Sequence, residues 1–467
     1  MNVNRKPCFL NGADRSNLKR FFRQWCNHPD LILRGRPLLR IAVAAVAAFV
    51  LYTSAAAEEA FPLRDAVEFS ARGGIANVLA KLNEGKEVRI AYLGGSITAA
   101  PGWRVKTLKW FQEQYPKSKI SEINAAIGGT GSDLGVYRVN YDALRHKPDL
   151  LFVEFAVNDG GASPAGIHRC MEGIVRQAWK SDPAMDICFV YTLSLPQLPD
   201  LQKGKFQRSA SAMEALADHY AIPSMHFGVE VVKQEKEGKL IFKADEPKTD
   251  DEKKALAGKS IFSTDGVHPL VATGHVLYTQ VVARCVTQMK TLGAPGAHAL
   301  KAPFVADNFE QARMLPLDKA KLSAGFEKLE PATSPQAKNF SNRMPSIYKA
   351  SKPGEKIAFK FKGTAAGIYD LLGPDGGQLK ISLDGAPARN VARIDGYCTY
   401  HRIAFLSIGS DLENKEHTVS IELDSAKLDK AKILFPHNLP DMQKNPAKYE
   451  GLNWYAGGVM LIGELVE

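Results

Sequence analysis

Four short blocks carry residue types suited to acyl chemistry. In chain order they are Gly94-Gly95-Ser96-Ile97-Thr98, Asn124-Ala125-Ala126-Ile127-Gly128-Gly129, Val157-Asn158-Asp159 and Asp265-Gly266-Val267-His268. A serine hydroxyl is a weak nucleophile at neutral pH and needs an adjacent base. Histidine suits that task because its ordinary pKa lies near neutrality. A carboxylate on the second ring nitrogen fixes the tautomer, and Asp265 stands three residues before His268. Negative charge developing on a carbonyl oxygen then calls for preorganised donors. The Ser96 N–H, an N–H of the glycine pair Gly128-Gly129 and the Asn158 amide are candidates for that role.

Each block also has a plainer reading. Gly94-Gly95-Ser96 is a turn in many chains, and Gly128, Gly129 and Gly131 could be ordinary loop residues. Asn158-Asp159 could be a turn after a strand, with Asp159 structural rather than catalytic. Asp265 and His268 could decorate a surface loop. Pro269 fits the first position of a helix. Trp103-Arg104 either shapes a cleft or packs a helix start. His219, His226 and His275 share no metal-ligand spacing, no CxxC or Cys/His cluster is present, and Gly128-Gly129-Thr130-Gly131 lacks a P-loop lysine. Neither a metal nor a cofactor is expected.

These blocks need a scaffold. Val88–Leu93 reads as a buried strand, and Lys119–Asn124, Asp149–Phe155, Asp186–Tyr191 and Ile222–Phe227 as four more strands. Helical spacing falls at 103–115, 133–146, 164–181, 205–220 and 271–290. Apolar strands alternating with helices imply a parallel sheet covered on both faces. Ligands bind beyond the carboxyl ends of such strands, where three of the four blocks fall. Lys233–Lys259 reads as a solvated insertion. Gly293-Ala294-Pro295-Gly296-Ala297 marks a linker. Beyond Phe304, period-two runs at Lys356–Phe361, Leu379–Leu383 and Thr418–Leu423, with turns at Gly373–Gly376 and Asp384-Gly385, argue an antiparallel β-sandwich.

The four ordered blocks resemble the SGNH (GDSL-type) hydrolase superfamily over residues 88–290. The resemblance implies a three-layer α/β/α fold and a serine esterase. Ser96 would be the nucleophile, His268 the base and Asp265 its orienting acid, with Ser96, Gly129 and Asn158 as the oxyanion hole. Choosing Gly129 over Gly128 rests on the resemblance. The family usually carries Asp where this chain has Gly95, and Gly where it has Ala156. The order Ser…Asp…His also occurs in α/β-hydrolases, but Thr98 replaces the last glycine of their Gly-x-Ser-x-Gly elbow. The tail resembles accessory sandwiches of exported carbohydrate esterases, which implies an acetylated or similarly acylated glycan as substrate. An acyltransferase with the same residues, or a non-catalytic glycan-binding protein, are the alternatives.

At 467 residues two domains are expected: a presequence over 1–57, a hydrolase domain over 58–292, a linker over 293–305 and a β-sandwich over 306–467. The net charge of +10 is concentrated at the start, where residues 1–57 hold nine Lys/Arg against two Asp/Glu. The rest is nearly balanced, so no nucleic-acid partner is inferred. A basic stretch, the apolar run Ile41–Thr53 and the small residues Ser54–Ala57 have the order of a secretory signal peptide, with an uncleaved anchor as the minority alternative. A periplasmic or extracellular protein without stable membrane insertion is expected. Cys170, Cys188, Cys285 and Cys398 could pair after export or stay buried thiols. Tyr397, Tyr400, Trp454 and Tyr455 could stack on sugar rings or fill the core. The tail is expected to contribute binding or packing, with all chemical groups before Lys290.

Overall fold

The central strands of the first sheet are runs too apolar to face water on either side. In this computed structural model, which describes residues 61–466, a short edge strand β1 (Phe69–Ser70) is followed by β2 (Val88–Gly94), β3 (Ile120–Asn124), β4 (Leu150–Glu154), β5 (Asp186–Tyr191) and β6 (Ser224–His226). All of β4 and β5 is buried. The strand order is β1-β6-β5-β4-β2-β3, parallel throughout except for antiparallel β1. In this doubly wound order the chain reverses direction between β2 and β4, and a crevice opens beyond their carboxyl ends. Ser96 follows β2 and Asn158 follows β4, so topology alone brings them together.

Helices Ala76–Asn83, Trp103–Gln114 and Gly274–Met289 cover one face, sharing a core with Tyr92, Phe152 and Val190. Helices Ser132–Asp142, Pro164–Ser181 and Arg208–Tyr220 pack in succession in the other layer. The three-layer α/β/α arrangement is thus realised. Segment 233–259 is more than a solvated insertion. It completes helix Phe227–Lys236 and adds β7 (Leu240–Lys243), which pairs in parallel with β8 (Ser260–Ser263). Leu240 and Phe242 are buried, and this apolar anchoring turns the segment into a support. Pro269 does not begin a helix. It bridges back to Ser263, and the closing helix starts at Gly274.

The tail forms β9 (Ala312–Pro316), β10 (Lys321–Leu322), β11 (Glu327–Leu329), β12 (Ile347–Ala350), β13 (Lys356–Leu372), β14 (Gln378–Leu383), β15 (Arg389–Ala392), β16 (Arg402–Gly409), β17 (Lys415–Leu423) and β18 (Trp454–Val466). Every pairing is antiparallel, in one hydrogen-bonded network. Strand β13 pairs with β17 over its first half and with β16 over its second, while β18 runs along both halves. Changing partner midway folds the sheet into a sandwich-like domain around Phe361, Ile368, Val419 and Leu461. Gly363 and Gly463 face each other at the bulge. A Cβ on Gly363 would come within 2.2 Å of the Ile462 carbonyl, so only glycine allows that approach.

From Pro62 onward the chain is one compact unit. Segment 293–305 is strapped down: Asn77 and Gly296 exchange hydrogen bonds, and Glu172 accepts the N–H groups of Phe304 and Val305. Tyr137 meets Phe405 with ring centroids 5.9 Å apart, and Arg176 pairs with Glu310. The four cysteines Cys170, Cys188, Cys285 and Cys398 are free and buried, and burial pushes each thiol pKa up. The expected presequence over 1–57, with Cys8 and Cys26, lies outside the described residues. Among those described, no helix is long and apolar enough to cross a membrane.

Candidate active site

Strand β2 delivers Ser96 at the first turn of the short helix Ser96–Ala99. The turn is packed from behind. A Cβ on Gly94 would sit 2.8 Å from the Glu154 carbonyl, and one on Gly95 would sit 1.9 Å from Asn158 Oδ1. The space of a side chain at position 95 is therefore occupied by Asn158. Beneath the turn lies the buried Glu154 carboxyl. It accepts from Thr98 Oγ1 at 2.8 Å and Thr192 Oγ1 at 2.6 Å. Burial raises its pKa, against the opposing pull of those two hydroxyls and the Gly95 N–H. Glu154 was not among the residues singled out from sequence. A charged residue closing the run Leu-Leu-Phe-Val was the available signal.

His268 reaches this turn from the loop after β8. Its Nε2 lies 2.8 Å from Ser96 Oγ, and its Nδ1 lies 2.7 Å from Asp265 Oδ2. The other carboxylate oxygen, Asp265 Oδ1, accepts from the backbone N–H of Val267 (2.7 Å), that of His268 (2.8 Å) and Ser263 Oγ (3.0 Å). Partial burial pushes the Asp265 pKa upward, but the hydrogen bond from the His268 ring, followed by these backbone and hydroxyl donors, outweighs it and holds the carboxylate well below its usual range. A charged Asp265 fixes the Nδ1–H tautomer, which leaves Nε2 to accept the serine proton. Gly266 takes φ +84° at the tip of the loop, a left-handed conformation that glycine adopts freely.

The second block, after β3, is bound to the same turn. The Ile127 N–H donates to the Gly94 carbonyl, and a Cβ on Gly128 would lie 3.6 Å from Ser96 Cβ. Gly129 has φ +72°. Asp159, next to Asn158, accepts the Ser132 N–H at 2.9 Å and so ties the Asn158 turn to the glycine loop. Burial pushes the Asp159 pKa up to about 7, against the hydrogen bonds from Ser132. The structure thus brings Ser96, Gly129, Asn158, Asp265 and His268 to one end of the sheet.

Other candidates fall elsewhere. Trp103 and Arg104 are buried at a helix start, where the Trp103 N–H donates to His275 Nδ1. His226 stacks on Phe206, and its burial lowers its pKa to about 3. Trp454 and Tyr455 are core residues, whereas Tyr397 and Tyr400 are exposed. Among the described residues no group of three or more His, Cys, Asp or Glu is placed to hold a metal.

Two arginines of the tail reach the site loops, and nothing local in the sequence marks them. Arg343 donates to the carbonyls of Asn124 and Ala126. Arg402 stands beside Gly129, its Nη1 3.7 Å from where a Cβ of that residue would be.

A serine joined by hydrogen bonds to a histidine and an aspartate three residues apart on one loop, with the Gly95-Ser96 turn, the glycine loop and Asn158 gathered at the switch point of a doubly wound sheet, places the protein among the SGNH-type carboxylic ester hydrolases. Residues 92–272 match the model of the GDSL-like lipase/acylhydrolase family, so the chain carries a GDSL-like hydrolase domain there. Among solved structures, a two-domain esterase active on acetylated mannans, known alone and with mannopentaose, is 20% identical. The match covers 86% of this chain and 98% of that one, with a TM-score of 0.65, so the fold is shared across both domains. An acetyl-xylooligosaccharide esterase from Geobacillus is 18% identical over 43% of this chain and 94% of its own, with a TM-score of 0.32. No match was found among curated proteins.

Proposed function

We propose that this protein is an exported serine esterase that removes acetyl or similar short acyl groups from a glycan. The observation that carries this reading is the unbroken line Asp265–His268–Ser96 beside Gly129 and Asn158. Ser96 Oγ attacks the ester carbonyl while His268 Nε2 takes its proton. The Ser96 and Gly129 N–H groups and the Asn158 amide hold the oxyanion. His268 then protonates the departing sugar alkoxide, leaving an acyl group on Ser96. A water, deprotonated by His268, releases the acid and restores the hydroxyl. His268 and Asp265 are about half exposed, which admits water to the acyl-enzyme. The basic and apolar presequence supports export. The likeness to an esterase active on acetylated mannans supports a glycan substrate.

The deciding experiment measures acetate released from acetylated mannan, xylan and smaller esters by the wild-type chain and by Ser96→Ala. Release by the wild type alone is expected. Equal release by both would remove Ser96 from the mechanism.

A further inference from the structure

Between the α/β layers and the β-sheet runs a cleft of about 580 Å³. One wall consists of the site loops, with Gly129, Asp133, Asn158 and Ser163; the other is the start of β16, Arg402 to Phe405. Arg402 is the pivot of the second wall. Its Nη1 faces Gly129, and Gly128 in turn abuts Ser96. Its Nη2 donates to Asp395 Oδ2, and its Cζ lies 5.8 Å from the centroid of the Tyr397 ring. Tyr397 is 59% exposed, yet it is held edge-on against Phe435 at 4.6 Å. Phe435 is itself partly exposed and stacks on His437, so the two rings brace each other at the surface and offer a flat apolar face at little cost in side-chain entropy. Ser96 thus lies at one end of the cleft, next to Gly128 and Gly129, and Tyr397 lies just beyond its other wall, next to Arg402.

The charges along this cleft select among substrates. Asp395 offsets the Arg402 guanidinium, and Asp133 and Asp159 line the same cleft. Such a cleft does not gather anions. Hydrogen-bond donors and acceptors set side by side, next to an exposed aromatic ring, suit a neutral ring that carries several hydroxyls.

We propose that Arg402 and Tyr397 form a sugar subsite that the β-domain lends to the Ser96 site. Arg402 donates to an oxygen of the acylated sugar, and Tyr397 carries the neighbouring ring. The substrate class is a neutral acylated oligosaccharide rather than a uronate or other acidic glycan. This inference rests on the glycan-esterase reading above.

The test uses the full chain and its variants Arg402→Gln and Tyr397→Ala. For each, kcat and KM are measured on p-nitrophenyl acetate and on O-acetylated mannopentaose, with Tm as a check on folding. The ratio of kcat/KM on the oligosaccharide to that on the small ester is expected to fall about tenfold or more, mainly through KM, which corresponds to about 1.4 kcal/mol. The wild type is also expected to prefer O-acetylated mannopentaose over an O-acetylated oligogalacturonate. An unchanged ratio in either folded variant would overturn the subsite, as would a preference for the acidic oligosaccharide. Should Arg402→Gln fold poorly because Asp395 loses its partner, the double variant Arg402→Gln/Asp395→Asn takes its place. If the wild type cleaves p-nitrophenyl acetate but releases no acetate from either oligosaccharide, the glycan reading itself fails and the subsite with it. If acetate is released and the variants match the wild type, only the subsite fails.

Discussion

His268 Nε2 lies 2.8 Å from Ser96 Oγ, although 172 positions separate the two residues. Two different supports produce the contact. Ser96 is held by the central strand β2 and His268 by a loop anchored on the small β7–β8 pair. Neither position depends on the other, so removing one partner should leave the scaffold intact.

Ser96→Ala is accordingly expected to lower kcat on p-nitrophenyl acetate by about 10³-fold or more, as loss of a nucleophile does in serine hydrolases. Tm should stay within a degree or two, because a single hydroxyl at a solvent-accessible turn is lost. Steady-state kinetics and thermal unfolding on the same preparation check both parts. Substantial residual kcat would disqualify Ser96.

Gly95 gives a sharper test of the oxyanion geometry. The family usually carries Asp there, but in this chain Asn158 fills the space of a side chain at that position. Gly95→Asp, nominally a return to the family pattern, is expected to displace the Asn158 amide. The loss should resemble removal of one oxyanion donor, about 10²-fold in kcat. Improved activity would mean that the Asn158 amide does not serve the oxyanion.

Asp159 sets a pH dependence of stability. Its folded pKa of about 7 lies above its ordinary 3.8, mainly through burial. A group raised in this way contributes stability fully below pH 3.8, and that contribution is lost as pH rises through about 7. Asp159→Asn keeps an acceptor for the Ser132 N–H but has no proton to release. Its stability relative to wild type should therefore rise between pH 4 and 7, by on the order of 1.4 kcal/mol for each pKa unit. Urea unfolding at pH 4.5, 6 and 7.5 reads this directly. A pH-independent difference between the two proteins would show that Asp159 does not titrate in that window.

Arg343 links the β-domain to the glycine loop through the carbonyls of Asn124 and Ala126, and it also faces Asp142. Arg343→Ala should cost about 1–3 kcal/mol of stability, the usual scale for a charged donor removed from partly buried acceptors. It should also lower kcat on small esters several-fold by loosening the loop that carries Gly129. The expectation that all chemical groups precede Lys290 survives such a result, because Arg343 would act only by holding that loop. Unchanged kcat in a destabilised variant would confine Arg343 to packing.

The sequence by itself determined the four blocks and the scaffold that bears them. Short apolar runs alternating with helical patterns fit buried parallel strands, period-two runs fit strands with one face on a core, and residues three apart on one loop can pair without help from elsewhere. Helix Pro164–Ser181 and strand Asp186–Tyr191 were legible to the residue, since their signals are local. Proline fits a helix start and an extended bridge equally well, and only the path back to Ser263 makes Pro269 the latter. Segment 233–259 misled in a similar way: its charge is a surface property, while the pairing of β7 with β8 is a long-range one. What only tertiary structure decided is the company each residue keeps. Glu154 lies beneath the Ser96 turn, Asn158 fills the space at Gly95, and Arg402 arrives beside Gly129 from a different sheet. Such neighbours are set by how separate surfaces pack, and packing leaves no periodicity in the chain for sequence to reveal.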